Sequence, residues 1–250
     1  MLKVKQLLGK YLDYTQIAKL AKIKNDLFGY WTKSYGQTGL DLLILSALRD
    51  TGVNDSDGLI EKGFYIDVGA HHPERYSNTY ILYNKYNWHG INIDPIPGIM
   101  KKFNTVRSRD TNLEMAIVPK NQIDDSLIFH VFNDYALNTF SKEIASERNN
   151  SKDFSIIKEI TVKTNTLENI CIEHKVKSID YLNIDAEGYD FKILTTLNFN
   201  QYKPKVISIE LYDFNPNSSF DSEGYSFLID KGYKLYASIG SSLVFTLGRV

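Results

Sequence analysis

The feature that most constrains this chain is an apolar run that stops at a glycine, Gly63-Phe64-Tyr65-Ile66-Asp67-Val68-Gly69-Ala70-His71-His72-Pro73. A second short apolar run, Ile91-Asn92-Ile93, stops at an acid, Asp94, 25 positions after Gly69. A short strand that is apolar along nearly its whole length is buried on both faces, the condition of a central strand in a parallel sheet. A glycine at its end permits close approach to the backbone. A carboxylate at the end of its neighbour offers two oxygens to vicinal hydroxyls. Together they predict a nucleoside-cofactor site in a doubly wound α/β sheet.

The rest of the chain keeps that rhythm. Residues 37 to 50 read as a helix ahead of the first strand, 64 to 68. Ser77 to Tyr86 reads as a helix, Ile91 to Ile93 as strand two, Pro97 to Phe103 as a helix and Leu113 to Val118 as strand three. Residues 119 to 163 interrupt the alternation, with strand-like Ser126 to Phe132 and Phe154 to Lys163 around polar Ser141 to Lys152; this reads as an inserted arm, the natural place for substrate contacts. A helix around Cys171 follows, with Asn165 and Glu168 spaced as a capping box. Then come strand four (Ile179 to Ile184), a helix (Tyr189 to Leu197), strand five (Val206 to Leu211) and a helix from Ser222 to Lys231 stopped by Gly232. Tyr233 to Ile239 and Leu243 to Leu247 flank the turn Gly240-Ser241-Ser242, so the sheet must close in an antiparallel hairpin. Parallel strands joined by right-handed crossovers and closed by that hairpin define a Rossmann-type sheet of the class I methyltransferase kind rather than a dinucleotide-binding one.

Composition removes several classes of function. A net charge of −1 lacks the basic excess that nucleic-acid binding needs. The one cysteine, Cys171, forms no intramolecular disulfide and sits at helical spacing with Leu167, Ile170 and His174, the setting of a packed thiol in a cytoplasmic protein. No run approaches the roughly 18 apolar residues of a membrane span, and no signal peptide is visible. Residues 1–33 read as a helical extension of a domain spanning 34–250. Its first 30 residues are basic and amphipathic, which suits either packing on the domain or a subunit, or weak contact with the inner face of a membrane.

Ligands of such sheets bind outside the carboxyl ends of the strands, here marked by Asp67 and Gly69, Asp94, Ala116 and Ile117, Asp185, and Glu210. Gly69 and Ala70 would bring the cofactor against the backbone, Asp67 would fix the loop or reach an ammonium group, and Asp94 would take ribose hydroxyls; the alternative for both acids is turn capping. Neighbouring side chains of an extended segment point apart, so His71 and His72 are expected not to share a metal ion, and His71 is assigned to the pocket. Asp185-Ala186-Glu187-Gly188 places two carboxylates in a turn that opens a helix, suited to general-base work or to positioning a substrate hydroxyl. Arg107, Arg109, Asp110 and Asn112 precede strand three and read as a structural network rather than a phosphate site.

These segments resemble the FkbM family of S-adenosylmethionine-dependent methyltransferases, over about residues 34 to 250. The matching pieces are Phe64 to Pro73, Ser77-Asn78-Thr79-Tyr80, Trp88 to Pro95, Asp180 to Gly188 and Pro204 to Glu210. Ser34-Tyr35-Gly36-Gln37 through Asp41 resembles an opening helix of part of the family, with Leu40 where an acid is expected and Gln37 as a pocket contact. The resemblance implies O-methylation, commonly of a sugar hydroxyl in a surface glycan, glycolipid or secondary metabolite, with Asn138 and Thr139 near the acceptor and Glu210 contributing. No metal ligand is assigned, although Asp185, Glu187 and Glu210 are oxygen donors that could hold Mg²⁺. One rival is a nicotinamide-dependent oxidoreductase, which would need a second glycine before Gly90; another is a non-catalytic module that keeps the fold.

Overall fold

The computed structural model describes residues 32–52, 62–123, 127–133, 137–150 and 153–248, with Gln16 and Lys19. The chain divides into two units, Met1–Lys33 and Ser34–Val250. The basic stretch read over residues 1–30 lies outside the described residues, apart from Gln16 and Lys19, which are helical and exposed. Among the described residues no helix is long and apolar enough to cross a membrane.

Within the second unit the elements run α1 (Leu40–Asp50), β1 (Phe64–Val68), α2 (Tyr80–Tyr86), β2 (His89–Ile93), α3 (Ile99–Val106), β3 (Thr111–Leu113), β4 (Ala116–Ile117), β5 (Ile128–Phe132), α4 (Lys142–Asn149) and β6 (Ile156–Thr161). They continue with β7 (Thr164–Asn165), α5 (Leu167–Glu173), β8 (Tyr181–Ile184), α6 (Asp190–Leu194), β9 (Val206–Glu210), α7 (Glu223–Asp230), β10 (Tyr233–Ile239) and β11 (Ser242–Leu247). Seven strands form one sheet in the order β10-β11-β9-β8-β1-β2-β3. β3, β2, β1, β8 and β9 pair in parallel, and β11 enters antiparallel between β9 and β10. The α/β sheet with its antiparallel C-terminal hairpin is therefore the one the sequence predicts.

Strand alternation sorts the core. Ile66 and Val68 face a cluster built with Leu167, Ile170, Ile193 and Leu228 from the helices on one side. Tyr65 faces the other side, where Leu40, Ile44, Leu48, Ile81, Leu82 and Trp88 pack. Asp67, in register with Tyr65 on that second face, is buried, and a polar network answers it. Its oxygens accept from Thr79 Oγ1 (2.5 Å) and Asn183 Nδ2 (2.8 Å). Arg107, fully buried, donates to Thr79 Oγ1, Ser77 Oγ and Tyr65 Oη, and pairs with Asp110 at 2.9 Å. A buried charge is tolerated when it is paired and hydrogen-bonded in this way. The Arg107–Asp110 group is thus structural, and it reaches well beyond the edge of the sheet.

Three local expectations are corrected. Strand three does not run from Leu113 to Val118: β3 ends at Leu113 on β2, and Ala116–Ile117 leaves the main sheet to pair in parallel with Thr164–Asn165. The turn between them is held by Glu114, which accepts from the Gly98 amide. The helix after β1 starts at Tyr80 rather than Ser77, because Ser77 stays outside it and accepts from the Tyr80 amide. The capping box at Asn165 does not form, since Thr166 is the extended residue whose hydroxyl accepts from Asn169 N (3.1 Å), while Glu168 accepts from Asn198. The inserted arm is a β5–β6 antiparallel hairpin with α4 between its strands; Ser126 and residues 151–152 lie outside the described residues.

Candidate active site

Strand order reverses between β1 and β8, so the loops that leave their carboxyl ends diverge and a crevice opens there. Gly69, at φ +78°, turns the chain immediately after β1. A Cβ built on it would lie 1.7 Å from the backbone carbonyl oxygen of Asp185. The close approach that demands this glycine therefore comes from the chain's own β8 loop. The amides of Gly69 and Ala70 both donate to Ile93 O, tying the β1 loop to the tip of β2.

Asp94 stands at that tip, buried. Its Oδ2 accepts from His71 N (2.8 Å) and its Oδ1 from Ile96 N (2.9 Å). The capping and ligand-binding readings of Asp94 are thus compatible, since each carboxylate oxygen has a second lone pair to offer. Burial, offset in part by those two amides, pushes its pKa up to about 6. His71 lines the same cleft at φ +52°. His72 turns away, its Nδ1 accepting from the amides of Glu74 and Arg75.

On the β8 side, Asp185 lines the cleft and its carboxylate has no hydrogen-bond partner among the described residues. Burial first, then the charges of Glu210, Asp190, Glu187 and Asp67, hold its pKa well above the ordinary carboxylate range. Asp190 lies outside the cleft lining and braces the turn, accepting from the amides of Ala186 and Gly188; burial pushes its pKa up to about 7. Glu187, at φ +50°, accepts from Arg148 Nη2 (2.8 Å), and the Tyr212 hydroxyl, whose one proton is directed to Glu210, approaches it to 3.3 Å. Its pKa is raised by burial against the opposing pull of Arg148. Glu210 is not among the residues that line the cleft: its oxygens accept from Tyr212, Ser241 and Ser242, and its charge acts on Asp185 from behind. No group of three or more His, Cys, Asp or Glu side chains among the described residues is arranged to hold a metal ion.

The arm supplies the facing wall. Asn138, Thr139, Phe140 and Phe129 line the cleft opposite the strand tips, with Met115, Ala116 and Ile117 between. Asn138 Oδ1 accepts from Phe132 N (2.8 Å), but its buried Nδ2 has no partner. Thr139 Oγ1 donates to Glu187 O (3.3 Å). Arg148 Nη1 donates to Leu137 O (2.7 Å) while Nη2 pairs with Glu187, and Ile144 of α4 occupies the place a side chain on Gly188 would take. From the N-terminal side Gln37 reaches the cleft, on a loop stapled by Asp41, which accepts from Ser34 Oγ and Tyr35 N.

Of the residues singled out from the sequence, Gln37, Asp67, Gly69, Ala70, His71, Asp94, Ala116, Asn138, Thr139, Asp185 and Glu187 line one cleft, and Glu210 lies behind it. Sequence reasoning missed Asn183, Arg148 and Phe140. Phe140 adjoins Asn138 and Thr139 and could have been found there. Arg148 lies in a polar segment with no periodic signal that separates it from its neighbours.

Compared with models of known families, residues 67–235 match the methyltransferase FkbM domain. Neither the curated proteins nor the solved structures searched contain a match to the chain. The family match spans more than half of the chain and contains the tips of β1, β2 and β8 and the whole arm. The chain belongs to the FkbM family of methyltransferases.

Proposed function

We propose that this methyltransferase uses S-adenosylmethionine to methylate a hydroxyl of a sugar-containing acceptor. The observation that carries the reading is the uncommitted Asp185 carboxylate, in the same cleft as Asp94 and Asn138. The cleft fits the cofactor chemically. Asp94 keeps a lone pair on each oxygen for ribose hydroxyls, apolar Ile96, Met115, Ala116, Ile117 and Phe129 suit a flat ring, and Gly69 and Ala70 give a side-chain-free edge.

When bound, S-adenosylmethionine supplies an electrophilic methyl group on a sulfonium. The protein's part is to deliver a hydroxyl in line with it and to take the hydroxyl proton. Asp185, once ionised, is suited to the second task, because burial and neighbouring charge make its carboxylate a stronger base than an exposed one. A general base of this kind contributes about 10²–10⁴ in rate. Glu187, held by Arg148, is suited to orienting the acceptor through its remaining lone pairs. Holding the reactants in line supplies much of the rest.

The experiment is incubation with methyl-labelled S-adenosylmethionine and a mixture of cell-surface glycans and glycolipids, followed by alkaline treatment. Label that survives alkali in the carbohydrate, and that Asp185→Asn abolishes, supports an ether made on a sugar hydroxyl. Label released as methanol would indicate a carboxyl acceptor instead and overturn the reading.

A further inference from the structure

Four buried side-chain atoms among the described residues lack a hydrogen-bond partner, and three of them lie in the arm: Gln122 Oε1, His130 Nδ1 and Asn138 Nδ2. Buried polar atoms are rarely left unpaired, so a cluster of them marks a place where something else is expected to bond. Asn138 faces the active-site cleft. Gln122 and His130 line a second hollow with Ile128, Lys142 and Glu159. His130 Nδ1 sits 2.9 Å from Glu159 Oε1 without making an aligned hydrogen bond to it.

The two hollows are related through β5. Successive residues of a strand point to opposite faces. Phe129 lines the active-site cleft, while Ile128 and His130 line the second hollow. Phe140 lines both, its ring 4.5 Å from that of Phe129. The hollows therefore meet at one aromatic side chain at the edge of the hairpin.

The unpaired atoms are of both kinds. Asn138 Nδ2 needs an acceptor and Gln122 Oε1 needs a donor. A hydroxyl satisfies either, and a ring bearing hydroxyls around an apolar face also suits contact with Phe140. Ile128, 47% exposed, extends that apolar contact. The charged rim of Lys142 and Glu159 suits hydrogen bonding to hydroxyls rather than the seating of a purely apolar group.

We propose that the arm binds the acceptor as a chain of at least two sugar rings: one under Asn138, presenting its hydroxyl to Asp185, and the adjoining one beyond Phe140 against Gln122 and His130. This rests on the reading of the acceptor as sugar-containing, and it adds that a lone sugar occupies only half of the site.

The test is titration of the full chain, saturated with S-adenosylhomocysteine, with methyl monoglycosides and the matching disaccharides of neutral, 6-deoxy, amino and acidic hexoses. Amide NMR signals of residues 121–142 and the side-chain amides of Gln122 and Asn138 report binding. The expected result is a disaccharide that shifts Asn138, His130 and Gln122 together and binds about ten-fold more tightly than its monoglycoside, the gain of roughly one well-made hydrogen bond. Gln122→Ala, a partly exposed position, removes that gain and leaves S-adenosylhomocysteine affinity unchanged. The proposal is overturned if S-adenosylhomocysteine binds but no sugar shifts residues 121–142, or if disaccharides bind no better than monoglycosides. If S-adenosylhomocysteine itself does not bind, the cofactor reading of the cleft fails instead.

Discussion

The backbone carbonyl of Asp185 occupies the space in which any side chain at position 69 would have to sit, 1.7 Å from the place of a Cβ on Gly69. One backbone atom of the β8 loop thus sets the identity of the residue that follows β1. The loops after β1 and β8 cannot be adjusted independently, and the distance across the cleft floor is fixed by their contact.

Gly69→Ala is therefore expected to displace the Asp185 loop or unfold the protein. The new methyl meets backbone rather than a yielding side chain, and φ +78° is itself unfavourable for alanine. Together these cost on the order of 3 kcal/mol or more. Urea denaturation would measure it, and a loss under 1 kcal/mol would show that the contact is looser than described.

Stability should fall as pH rises from about 4 to 7. Asp94 and Asp190 have pKa values raised by burial to about 6 and about 7, and Asp185 and Asp67 are raised as well. Between the unfolded value near 3.9 and these folded values, the folded state holds protons that the unfolded state has released. Stability then falls with pH, by up to about 1.4 kcal/mol per pH unit for each such group. Denaturation of the ligand-free protein at pH 5 and pH 7 checks this; greater stability at pH 7 would contradict it.

Arg107→Met should destabilise the fold by about 3–5 kcal/mol while leaving no gap in the cleft wall. It strips hydrogen bonds from Tyr65 and Thr79 and leaves the buried Asp110 carboxylate without its counter-charge, held only by Tyr65 Oη, Gly90 N and Asn92 Nδ2. Chemical denaturation reads the loss. Arg107→Met with Asp110→Asn should recover part of it, since the uncompensated carboxylate is the main cause.

Arg148→Met should loosen the arm without unfolding the sheet. The lost contacts are the partly exposed pair with Glu187 and the bond to Leu137 O, worth about 1 kcal/mol together. Hydrogen exchange in 137–149 should speed up about five-fold, with the β1, β8 and β9 amides unchanged. Uniform protection in the variant would show that α4 is held by packing alone.

The strands were legible because their burial is written into short apolar runs, and the C-terminal hairpin because so short a turn leaves no other pairing. The tips of β1, β2 and β8 were legible because acids interrupt those runs where the sheet ends. Strand three was misread because Leu113 to Val118 is apolar enough to suggest one strand, while the jump of Ala116 onto Thr164 depends on a partner nearly 50 residues away. The Asn165 cap failed for a similar reason: Asn165 and Thr166 are both good caps, and the backbone conformation chooses between them. Arg107 shows the limit in the other direction, since a position before β3 gives no hint that a long side chain reaches Ser77 and Thr79 inside the fold. Arg148 acts through its contact with Glu187 of the β8 turn, which no local pattern encodes.

If Asp94 organises a cofactor cleft, isothermal titration with S-adenosylhomocysteine reads it out. Micromolar binding to the wild-type chain, weakened by about 1.5–3 kcal/mol in Asp94→Ala as charge-assisted hydrogen bonds are lost, is the predicted result. No binding by a folded wild-type chain, or equal affinity in the two proteins, would contradict it.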